Sequence, residues 1–285
     1  MQEITKRMYQ KAILDFSKKY SRNTVSAFHI TAKIIFKEAT ELGIIKINPT
    51  SFIKIPKENL SIEELEIKNS LPKFLEKEQL LKFLDTVKKH SRFEDYVVFY
   101  VLAFTGIRIS ELGGLLWDAV DFKENKLNIK RNLFYGSVAN KKYELTTPKT
   151  SKSVRIIDVD NKLIELLKEH QKNQNIEKMK NRQTWNTKHD FIFTSKKLKG
   201  FPLFVHIFYM KMKRILKIAS LPEHFTPHSL RHTHTSLLAA AGRDLYEIME
   251  RLGHSNDLTT RDIYLHMTAE KKKDVAKAFS DYLGI

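Results

Sequence analysis

The chain has 285 residues, enough for two domains and a sizeable hydrophobic core, and its 50 Lys and Arg residues outnumber its 33 Asp and Glu residues. The resulting formal net charge of +17 predicts a polyanionic partner, with nucleic acid favoured over an anionic membrane. The absence of cysteine excludes disulfides, thiolate nucleophiles and cysteine-based zinc sites, and the sequence shows neither a signal peptide nor an apolar run near the roughly 18 residues of a membrane span.

Residues 1–57 are predicted to form a small helical domain, because apolar residues recur at helical spacing in two segments. The first segment carries Tyr9, Ile13, Phe16 and Tyr20, and the second carries Val25, Phe28, Ala32, Ile35, Phe36, Ala39 and Leu42. Ser21 or Asn23 is the expected N-cap of the second helix, and Gly43 is its expected end. The other face of this helix carries three basic residues, which by themselves indicate no more than a solvated surface: Arg22, Lys33 and Lys37.

A polar segment, residues 58–70, is predicted to link this domain to a larger one, residues 71–285. Helical periodicity and apolar runs in the larger domain predict helices near residues 80–87, 95–103, 160–180 and 203–218. Strands are predicted near residues 127–130, 133–135, 154–159 and 191–193, with a turn at 147–151. The expected fold is therefore mainly α-helical with a small β-sheet, and the second domain is of mixed α+β type.

The segment 105–112 reads Thr-Gly-Ile-Arg-Ile-Ser-Glu-Leu. A turn at Gly106 is expected to open a helix, with Arg108 in its first turn and Glu111 three residues further on.

A second motif begins at Thr226, the expected N-cap of a helix whose first residue is Pro227, since the missing N–H of proline costs nothing there. His228 and Arg231 then lie three residues apart near the helix N-terminus, where backbone N–H groups, an imidazole and a guanidinium together suit a phosphate. His228 and His232 also have the spacing of two helical zinc ligands. Because no Glu follows the first His and no third ligand is evident, no metal site is predicted.

The next helix leads to two further candidates, His254 and Tyr264. Asp244 and Glu247 have the N-cap and N3 spacing of a capping box. Gly253 should end the helix, so that His254 is expected just past its end, with an exposed rather than a packed side chain. Tyr264 follows ten residues later.

In order and spacing, the TG-x-R-x-x-EL, H-x-x-R and LGH motifs and the late Tyr264 resemble the tyrosine recombinase, or phage-type integrase, family over nearly the whole chain. The gap between His254 and Tyr264 is similar to that in integrases of conjugative transposons and temperate phages. The resemblance implies a site-specific DNA recombinase that cleaves and rejoins strands through a 3′-phosphotyrosine intermediate, without metal, ATP or another cofactor, and so integrates or excises a mobile element.

The resemblance also implies a role for each motif residue. Phosphodiester cleavage needs cationic donors for the non-bridging oxygens, a base for the tyrosine hydroxyl, whose free pKa is about 10, and an acid for the leaving 5′-oxygen. These roles go to Arg108 and Arg231 as phosphate donors, His228 as base, His254 as a further phosphate donor, Lys149 as general acid and Tyr264 as nucleophile. Lys152 is the alternative to Lys149, and Glu111 is expected to orient a neighbouring arginine or histidine.

The implied organisation is a two-domain clamp on duplex DNA, formed by a core-binding domain, residues 1–57, and a catalytic domain, residues 71–285, with the linker passing around the duplex. The basic residues of the second helix then become expected phosphate contacts: Arg22, Lys33 and Lys37. Many relatives carry a further N-terminal arm-binding domain. The sequence begins with the core-binding domain, as expected of either a short family member or a shortened piece of a longer protein.

The expected partner is double-stranded DNA at attachment or transposon-end core sites. We expect a monomer in solution, a homotetramer in the synaptic complex, an accessory DNA-bending or excision factor, and no membrane partner. A final helix after Thr268, with Val275, Phe279 and Tyr282 on one stripe, is expected to pack either on its own core or on a neighbouring protomer. The lack of cysteine fits a reducing bacterial cytoplasm, where the protein would act at the nucleoid.

Two other functions stay open at this stage. A type IB topoisomerase-like enzyme would share the phosphotyrosine chemistry but would relax supercoils without joining partner strands. A non-catalytic DNA-binding protein could keep the same scaffold, although the complete set of catalytic residues argues against it.

Overall fold

The structure, a computed structural model, describes residues 4–56, 72–137, 142–147, 153–253 and 258–267. The chain divides into two compact units between Leu71 and Pro72. Helices make up most of the described residues and the strands are short and antiparallel, so the predicted fold, mainly α with a small β-sheet, is confirmed. None of the helices in these ranges is long and apolar enough to cross a membrane.

The helices are α1 (Lys6–Ser17), α2 (Arg22–Glu41), α3 (Lys77–His90), α4 (Phe93–Thr105), α5 (Ile109–Gly113), α6 (Asn161–Lys180), α7 (Ile207–Ile218), α8 (Pro227–Ala240), α9 (Leu245–Leu252) and α10 (Leu258–Met267). The strands are β1 (Val120–Asp121), β2 (Lys126–Ile129), β3 (Asn132–Ser137), β4 (Lys142–Thr146) and β5 (Arg155–Asp158). The four helices expected in the larger domain are present as α3, α4, α6 and α7, with ends that differ by a few residues.

The first unit is built on α1 and α2, which enclose a small apolar core. Its buried side chains are Ile13, Val25, Phe36, Ala39 and Ile45. Ser21, rather than Asn23, caps α2, because its hydroxyl accepts the Thr24 backbone N–H at 3.3 Å. Gly43 follows the helix with a φ of +70°, as expected of a glycine at a helix C-terminus.

The apolar stripes predicted for this unit are only partly buried. Phe16 contacts Tyr20 and Phe28, with ring centroids 5.3 Å and 5.4 Å apart, yet these three side chains are 40%, 50% and 54% exposed. Tyr20 also lies beyond the end of α1. In the described part of this unit, two helices alone offer too few neighbours to cover a wide apolar stripe on each, so part of each stripe is exposed.

Helix α4 lies at the centre of the second unit. Most of its side chains are buried, because α3, α6 and α8 pack around it. The ring of Phe99, for example, packs against Phe83 of α3 and Phe208 of α7 at centroid distances of 5.2 Å and 5.5 Å. A helix that is apolar on all sides belongs in a core, and the buried helix predicted for this segment is confirmed. It carries the chain directly to Gly106 and Arg108.

The three-stranded sheet has the order β1-β2-β5, so β2 pairs directly with β5 although β3 and β4 lie between them in sequence. β3 and β4 form a separate antiparallel hairpin. Leu133 of this hairpin packs with Leu116 and Phe191 in a small cluster of its own. Phe191 makes only an isolated bridge to Leu116, so the strand predicted at 191–193 is wrong.

The side chains that β5 turns inward differ from those that indicated the strand. The apolar residues that predicted it are Val154, Ile156 and Val159. Val154 and Ile156 are 49% and 63% exposed, whereas Arg155 and Ile157 are buried. The pairing of Ile157 with Leu127 fixes this register, because a shift of one residue would exchange the two faces of the strand. A charged side chain therefore points into the unit from β5.

Some sequence predictions fall outside the described residues. These are the linker at 58–70, most of the turn at 147–151, and the final helix after Thr268.

Gly106 ends α4 in the left-handed region, with a φ of +64°. A Cβ atom at this position would lie 2.7 Å from His234 Cδ2 and 2.7 Å from Leu252 Cδ2. Both distances are far shorter than a van der Waals contact. Helices α8 and α9 therefore approach this turn as closely as they do because residue 106 has no side chain.

We expect Gly106→Ala to lower the free energy of unfolding by roughly 2–5 kcal/mol, of which about 1–2 comes from the left-handed backbone and about 1–3 from crowding. Gly242→Ala is the matched control, because its φ is +84° but a Cβ there meets nothing within 4 Å. Gly242→Ala should lower the free energy of unfolding only by the part that comes from the left-handed backbone. Urea unfolding followed by the fluorescence of Trp117 and Trp185 measures both. Equal losses in the two variants would contradict the role of crowding.

Candidate active site

Arg108 is the N-cap of α5, one position before the first turn in which it was predicted, and Glu111 is the third residue of that helix. Glu111 Oε2 accepts the Arg108 backbone N–H at 2.8 Å, and Oε1 accepts Arg108 Nη1 at 3.0 Å. The carboxylate thus satisfies an N–H that has no partner within the helix. The Arg108 side chain remains 36% exposed. Buried Glu111 therefore holds its guanidinium from the protein side, while the rest of the side chain is accessible to solvent.

Glu111 is completely buried and accepts two further hydrogen bonds from Arg155 of β5. Arg155 Nη1 donates to Oε1 at 3.2 Å and Nη2 donates to Oε2 at 3.1 Å, which is the bidentate geometry of an Arg–carboxylate pair. Burial alone would raise the pKa of Glu111, but the hydrogen bonds and charge of Arg155, the Arg108 N–H and the charge of Arg231 together lower this pKa below its usual range. The group is therefore ionised at neutral pH.

Backbone carbonyls hold Arg155 in turn. Its Nη1 donates to Ser153 O at 3.0 Å, and its Nε donates to Arg251 O at 2.7 Å. Arg251, in the last turn of α9, returns the contact, because its Nη1 donates to Asp158 O of β5 at 3.0 Å. The arginine of β5 thus donates to a carbonyl of α9, and the arginine of α9 donates to a carbonyl of β5.

Arg231 of α8 joins two further backbone segments. It is 2% exposed, and it donates from Nη1 to Gly106 O at 2.6 Å and from Nη2 to Leu252 O at 2.7 Å. These carbonyls lie at the ends of α4 and α9, where helices leave acceptors unpaired and carry negative partial charge. The buried guanidinium therefore holds the turn before Arg108 against the end of α9.

His228 lies in the first turn of α8 with its side chain exposed. The predicted start of this helix is confirmed, since Pro227 is its first residue and the Thr226 N–H donates to Ser229 Oγ at 3.1 Å. The His228 and His232 rings are nearly perpendicular, with centroids 4.8 Å apart. His228 is thus accessible, while Arg231 one turn further on is buried.

Tyr264 lies on α10 and is partly buried against the α8–α9 pair. It packs against an apolar cluster formed by Ala239 of α8 and by Ile248 and Leu252 of α9. Leu252 is also the residue whose carbonyl binds Arg231. The cluster that supports Tyr264 and the contact that holds Arg231 therefore have Leu252 in common.

His234, also on α8, holds this region together. Arg251 Nε donates to His234 Nε2 at 3.1 Å, so the ring proton lies on Nδ1, which donates to Ala103 O at 2.9 Å. Burial, and then the charge of Arg251, lower the pKa of His234 to about 3. The ring is therefore neutral at physiological pH and can accept the arginine's hydrogen bond.

The remaining predicted residues divide into those that the structure describes and those outside it. The residues predicted to contact DNA are exposed on α2 in the first unit: Arg22, Lys33 and Lys37. Lys37 also pairs with Glu41 at 3.3 Å. The residues that lie outside the described ranges are Lys149, its alternative Lys152, and His254.

Sequence reasoning did not identify the two arginines that connect β5 and α9, Arg155 and Arg251. The available signal for Arg155 was a charged residue between the apolar residues Val154 and Ile156. For Arg251 it was a position directly before the LGH motif. Neither signal separates a buried arginine from an exposed one.

Comparison with known proteins gives one consistent family. The family described as "Phage integrase family" matches residues 73–271, well over half of the chain. The ICEBs1 integrase of Bacillus subtilis is 30% identical over 268 residues, covering 92% of this chain and 67% of that protein. A tyrosine recombinase XerC-like protein of Caldanaerobacter subterraneus subsp. tengcongensis is 29% identical over 270 residues, covering 92% of this chain and 66% of that protein. The chain thus spans about two thirds of the length of these relatives.

Among solved structures, the Tn1549 transposon integrase in complex with transposon right end DNA is similar with a TM-score of 0.70 at 22% identity, over 100% of this chain and 87% of that chain. That likeness shows a shared fold, and the family match covers most of the second unit. The family predicted from the motifs is therefore confirmed: the chain belongs to the phage integrase family of tyrosine recombinases, enzymes that break and rejoin DNA strands.

Proposed function

We propose that this chain is a site-specific DNA recombinase that works through a 3′-phosphotyrosine intermediate and integrates or excises a mobile element. The observation that carries the proposal is the contact of buried Arg231 with the carbonyls of Gly106 and Leu252. It holds the turn before Arg108 at the end of α9, and Tyr264 packs against the apolar cluster that includes Leu252 of that end. Two guanidinium groups for the phosphate oxygens and a phenol as nucleophile are among the groups that metal-free phosphodiester cleavage needs.

In the proposed reaction, Arg108 and Arg231 donate hydrogen bonds to the non-bridging oxygens of the scissile phosphate. Negative charge grows on these oxygens as the tyrosine oxygen approaches phosphorus. Donors that are already fixed in place stabilise this charge without reorganising, so they favour the transition state over the ground state. Glu111 orients Arg108 through the two hydrogen bonds that join them.

The proton transfers are assigned to three other residues. His228 takes the hydroxyl proton of Tyr264 as the bond from the tyrosine oxygen to phosphorus forms. Lys149, or Lys152 in its place, gives a proton to the 5′-oxygen as its bond to phosphorus breaks. The products are a 3′-phosphotyrosine and a free 5′-hydroxyl, and the 5′-hydroxyl of another strand can reverse the step. His254 contributes a further hydrogen bond to the phosphate.

Double-stranded DNA is the proposed partner, at attachment or transposon-end core sites. The net charge of +17 favours a polyanion, and the similar Tn1549 integrase structure contains transposon end DNA. In the first unit, exposed basic residues of α2 would contact phosphates: Arg22, Lys33 and Lys37. We place this activity in the cytoplasm of a bacterial host, at the nucleoid.

For the synaptic complex we propose a homotetramer assembled from monomers, together with an accessory DNA-bending or excision factor. The second unit has a largely apolar groove of about 1320 Å³ between α3, β5, α8 and α9. Exposed Leu81, Ile156 and Tyr246 are among its lining residues. Such a groove suits the apolar stripe predicted after Thr268, from the same chain or from a neighbouring protomer.

Replacement of Tyr264 tests the proposed function. Tyr264→Phe removes one oxygen and little volume, so folding and DNA binding should survive, while cleavage should be lost because the nucleophile is absent. The probe is a set of nicked duplexes made from the DNA that flanks the gene, on which the unaltered chain should form a covalent adduct. Tyr246→Phe is the matched control, since Tyr246 is 76% exposed on α9. An adduct that persists in Tyr264→Phe, or that maps to another tyrosine, would disprove the assignment.

The role of Lys149 predicts a dependence on the leaving group. Lys149→Ala should cleave an ordinary phosphodiester slowly, because the departing 5′-oxygen then lacks an acid. A 5′-thio leaving group needs no proton, so this substrate should be cleaved nearly as fast by the variant as by the unaltered chain. Equal loss on both substrates would assign Lys149 to positioning. Lys152→Ala serves as the parallel variant and should then be tested as the acid.

The basic face of α2 predicts a change in salt dependence. Each phosphate contact adds about 0.9 to the slope of log Kd against log salt, so replacing both Lys33 and Lys37 with Gln should lower this slope by roughly 2. Replacement of Lys18 and Lys19, exposed basic residues of the same unit, is the charge-matched control and should change the slope less. Titrations of duplex DNA at several salt concentrations provide the slopes. The same slope for both double variants would contradict the assignment of this face.

A further inference from the structure

The catalytic roles proposed above leave Arg155 without a function, although it is among the most heavily bonded side chains of the described site. It is 9% exposed and lies on the inner face of β5, opposite Ile129. A guanidinium in such a position loses its water and is stable only where acceptors replace that water. Its acceptors are the two oxygens of Glu111 and the carbonyls of Ser153 and Arg251.

The bond pattern at Glu111 shows what this arginine contributes. A carboxylate has about four lone-pair sites. Glu111 accepts four hydrogen bonds, two from Arg108 and two from Arg155. The bidentate pair with Arg155 fixes the plane of the carboxylate, because both oxygens are held at once. The fixed plane in turn determines where Oε1 can hold Nη1 of Arg108.

A second connection leads from Arg155 to the end of α9. Its Nε binds the carbonyl of Arg251, two residues before Gly253 ends the helix and three before His254. In sequence, Arg155 also follows Lys152 by three residues and Lys149 by six. One buried side chain is thus bonded to the carboxylate under Arg108 and to the helix that leads to His254.

We infer that Arg155 is a positioning residue for strand cleavage, which acts through Glu111 to orient the guanidinium of Arg108 toward the scissile phosphate. This inference rests on the proposed function. Arg155 does not touch the DNA. Without it, the buried Glu111 would be held by Arg108 alone, its plane would be free to turn, and Arg108 would follow it.

The experiment measures single-turnover cleavage of the nicked flanking-DNA duplexes by the full chain at saturating protein. Arg155→Gln should cleave roughly 100-fold more slowly than the unaltered chain, the size of effect expected from a misplacement of about 1 Å. Single-site DNA binding should change little. Arg155→Lys should lie between the two, because lysine keeps the charge but cannot make the bidentate pair. Arg155→Lys also decides the matter if Arg155→Gln does not fold, as thermal unfolding will show.

The matched control is Arg131→Gln. Arg131 makes a bidentate pair with Asp118, both distances being 2.8 Å, but this pair lies on the surface and is not bonded to Glu111. The control loses the same kind of interaction and should cleave at the unaltered rate.

A double variant separates positioning from general structural support. If Arg155 acts through Glu111, then Glu111→Gln combined with Arg155→Gln should be no slower than the slower single variant. Losses that multiply in the double variant would mean that Arg155 acts independently of Glu111, and would overturn the inference. Cleavage by Arg155→Lys at the unaltered rate would overturn it as well.

The pH profile gives a readout that a purely structural role would not change. The charged groups that face Glu111 are Arg108, Arg155 and Arg231. When Arg155 is replaced, Glu111 loses the two hydrogen bonds and the charge of Arg155 that lower its pKa. This pKa therefore rises, so cleavage should fall on mild acidification in Arg155→Gln before it does in the unaltered chain. An unchanged acid limb would contradict the inference. If the unaltered chain forms no adduct on any duplex, the proposed function fails first, which is a different outcome from an active chain that tolerates Arg155→Gln.

Discussion

The candidate site depends on a single buried carboxylate, that of Glu111. Its four hydrogen bonds connect the N-cap of α5 with the inner face of β5, two elements that are more than forty residues apart in sequence. A buried ion pair of this kind adds little net stability, because desolvation offsets the attraction between the charges, but loss of one partner leaves an unpaired buried charge and costs about 3–5 kcal/mol. The pair therefore fixes the geometry of the site more than it stabilises the fold. Because Glu111 also binds Arg108, the position of Arg108 is fixed as well.

Three arginines in this region, two of them buried and Arg251 only partly buried, are compatible with one another because of the backbone. Arg155, Arg231 and Arg251 carry like charges, yet each donates to carbonyls at or near helix and strand ends. The C-terminal turns of α4 and α9 supply acceptors at Phe104, Gly106, Arg251 and Leu252. Such carbonyls have no partner within their helices and carry the negative end of the helix dipole. Two helix ends that meet at one place thus supply partial negative charge in addition to the carboxylate of Glu111. Gly106 allows this meeting, because any side chain there would collide with α8 and α9.

The sequence was informative where the pattern and the physical cause are local. The N-terminus of α8 follows from Thr226 and Pro227, the end of α9 follows from Gly253, and the buried α4 follows from its continuous apolar run. The inward face of β5 could not be predicted in the same way. Ile156 and Ile157 are adjacent apolar residues, so either register gives an apolar inner position, and the choice is made by pairing with Leu127 and Ile129. That choice buries Arg155. The exposure of Phe16 and Phe28 likewise depends on how many helices surround them, which helical spacing does not encode.

The arrangement separates a fixed frame from the groups that would react. The frame consists of Glu111, Arg155, His234 and Arg251, all with partners from other elements. Arg231 belongs to both sets, because it binds the carbonyls at two helix ends and is also a proposed phosphate donor. Two of the proposed reacting groups lie at the ends of described elements, since Arg108 is an N-cap and His228 is in a first turn, whereas Tyr264 lies within α10. Element ends are where side chains and free backbone N–H groups can reach a phosphate. They are also where positions are least defined by regular secondary structure, so geometry there has to come from bonds to other elements.

Buried arginines suit that task, since one planar guanidinium can bind a carboxylate and backbone carbonyls at the same time. Arginine thus has two roles in this site. Arg108 is a proposed phosphate donor at the surface, and buried Arg155 holds Arg108 in place through Glu111.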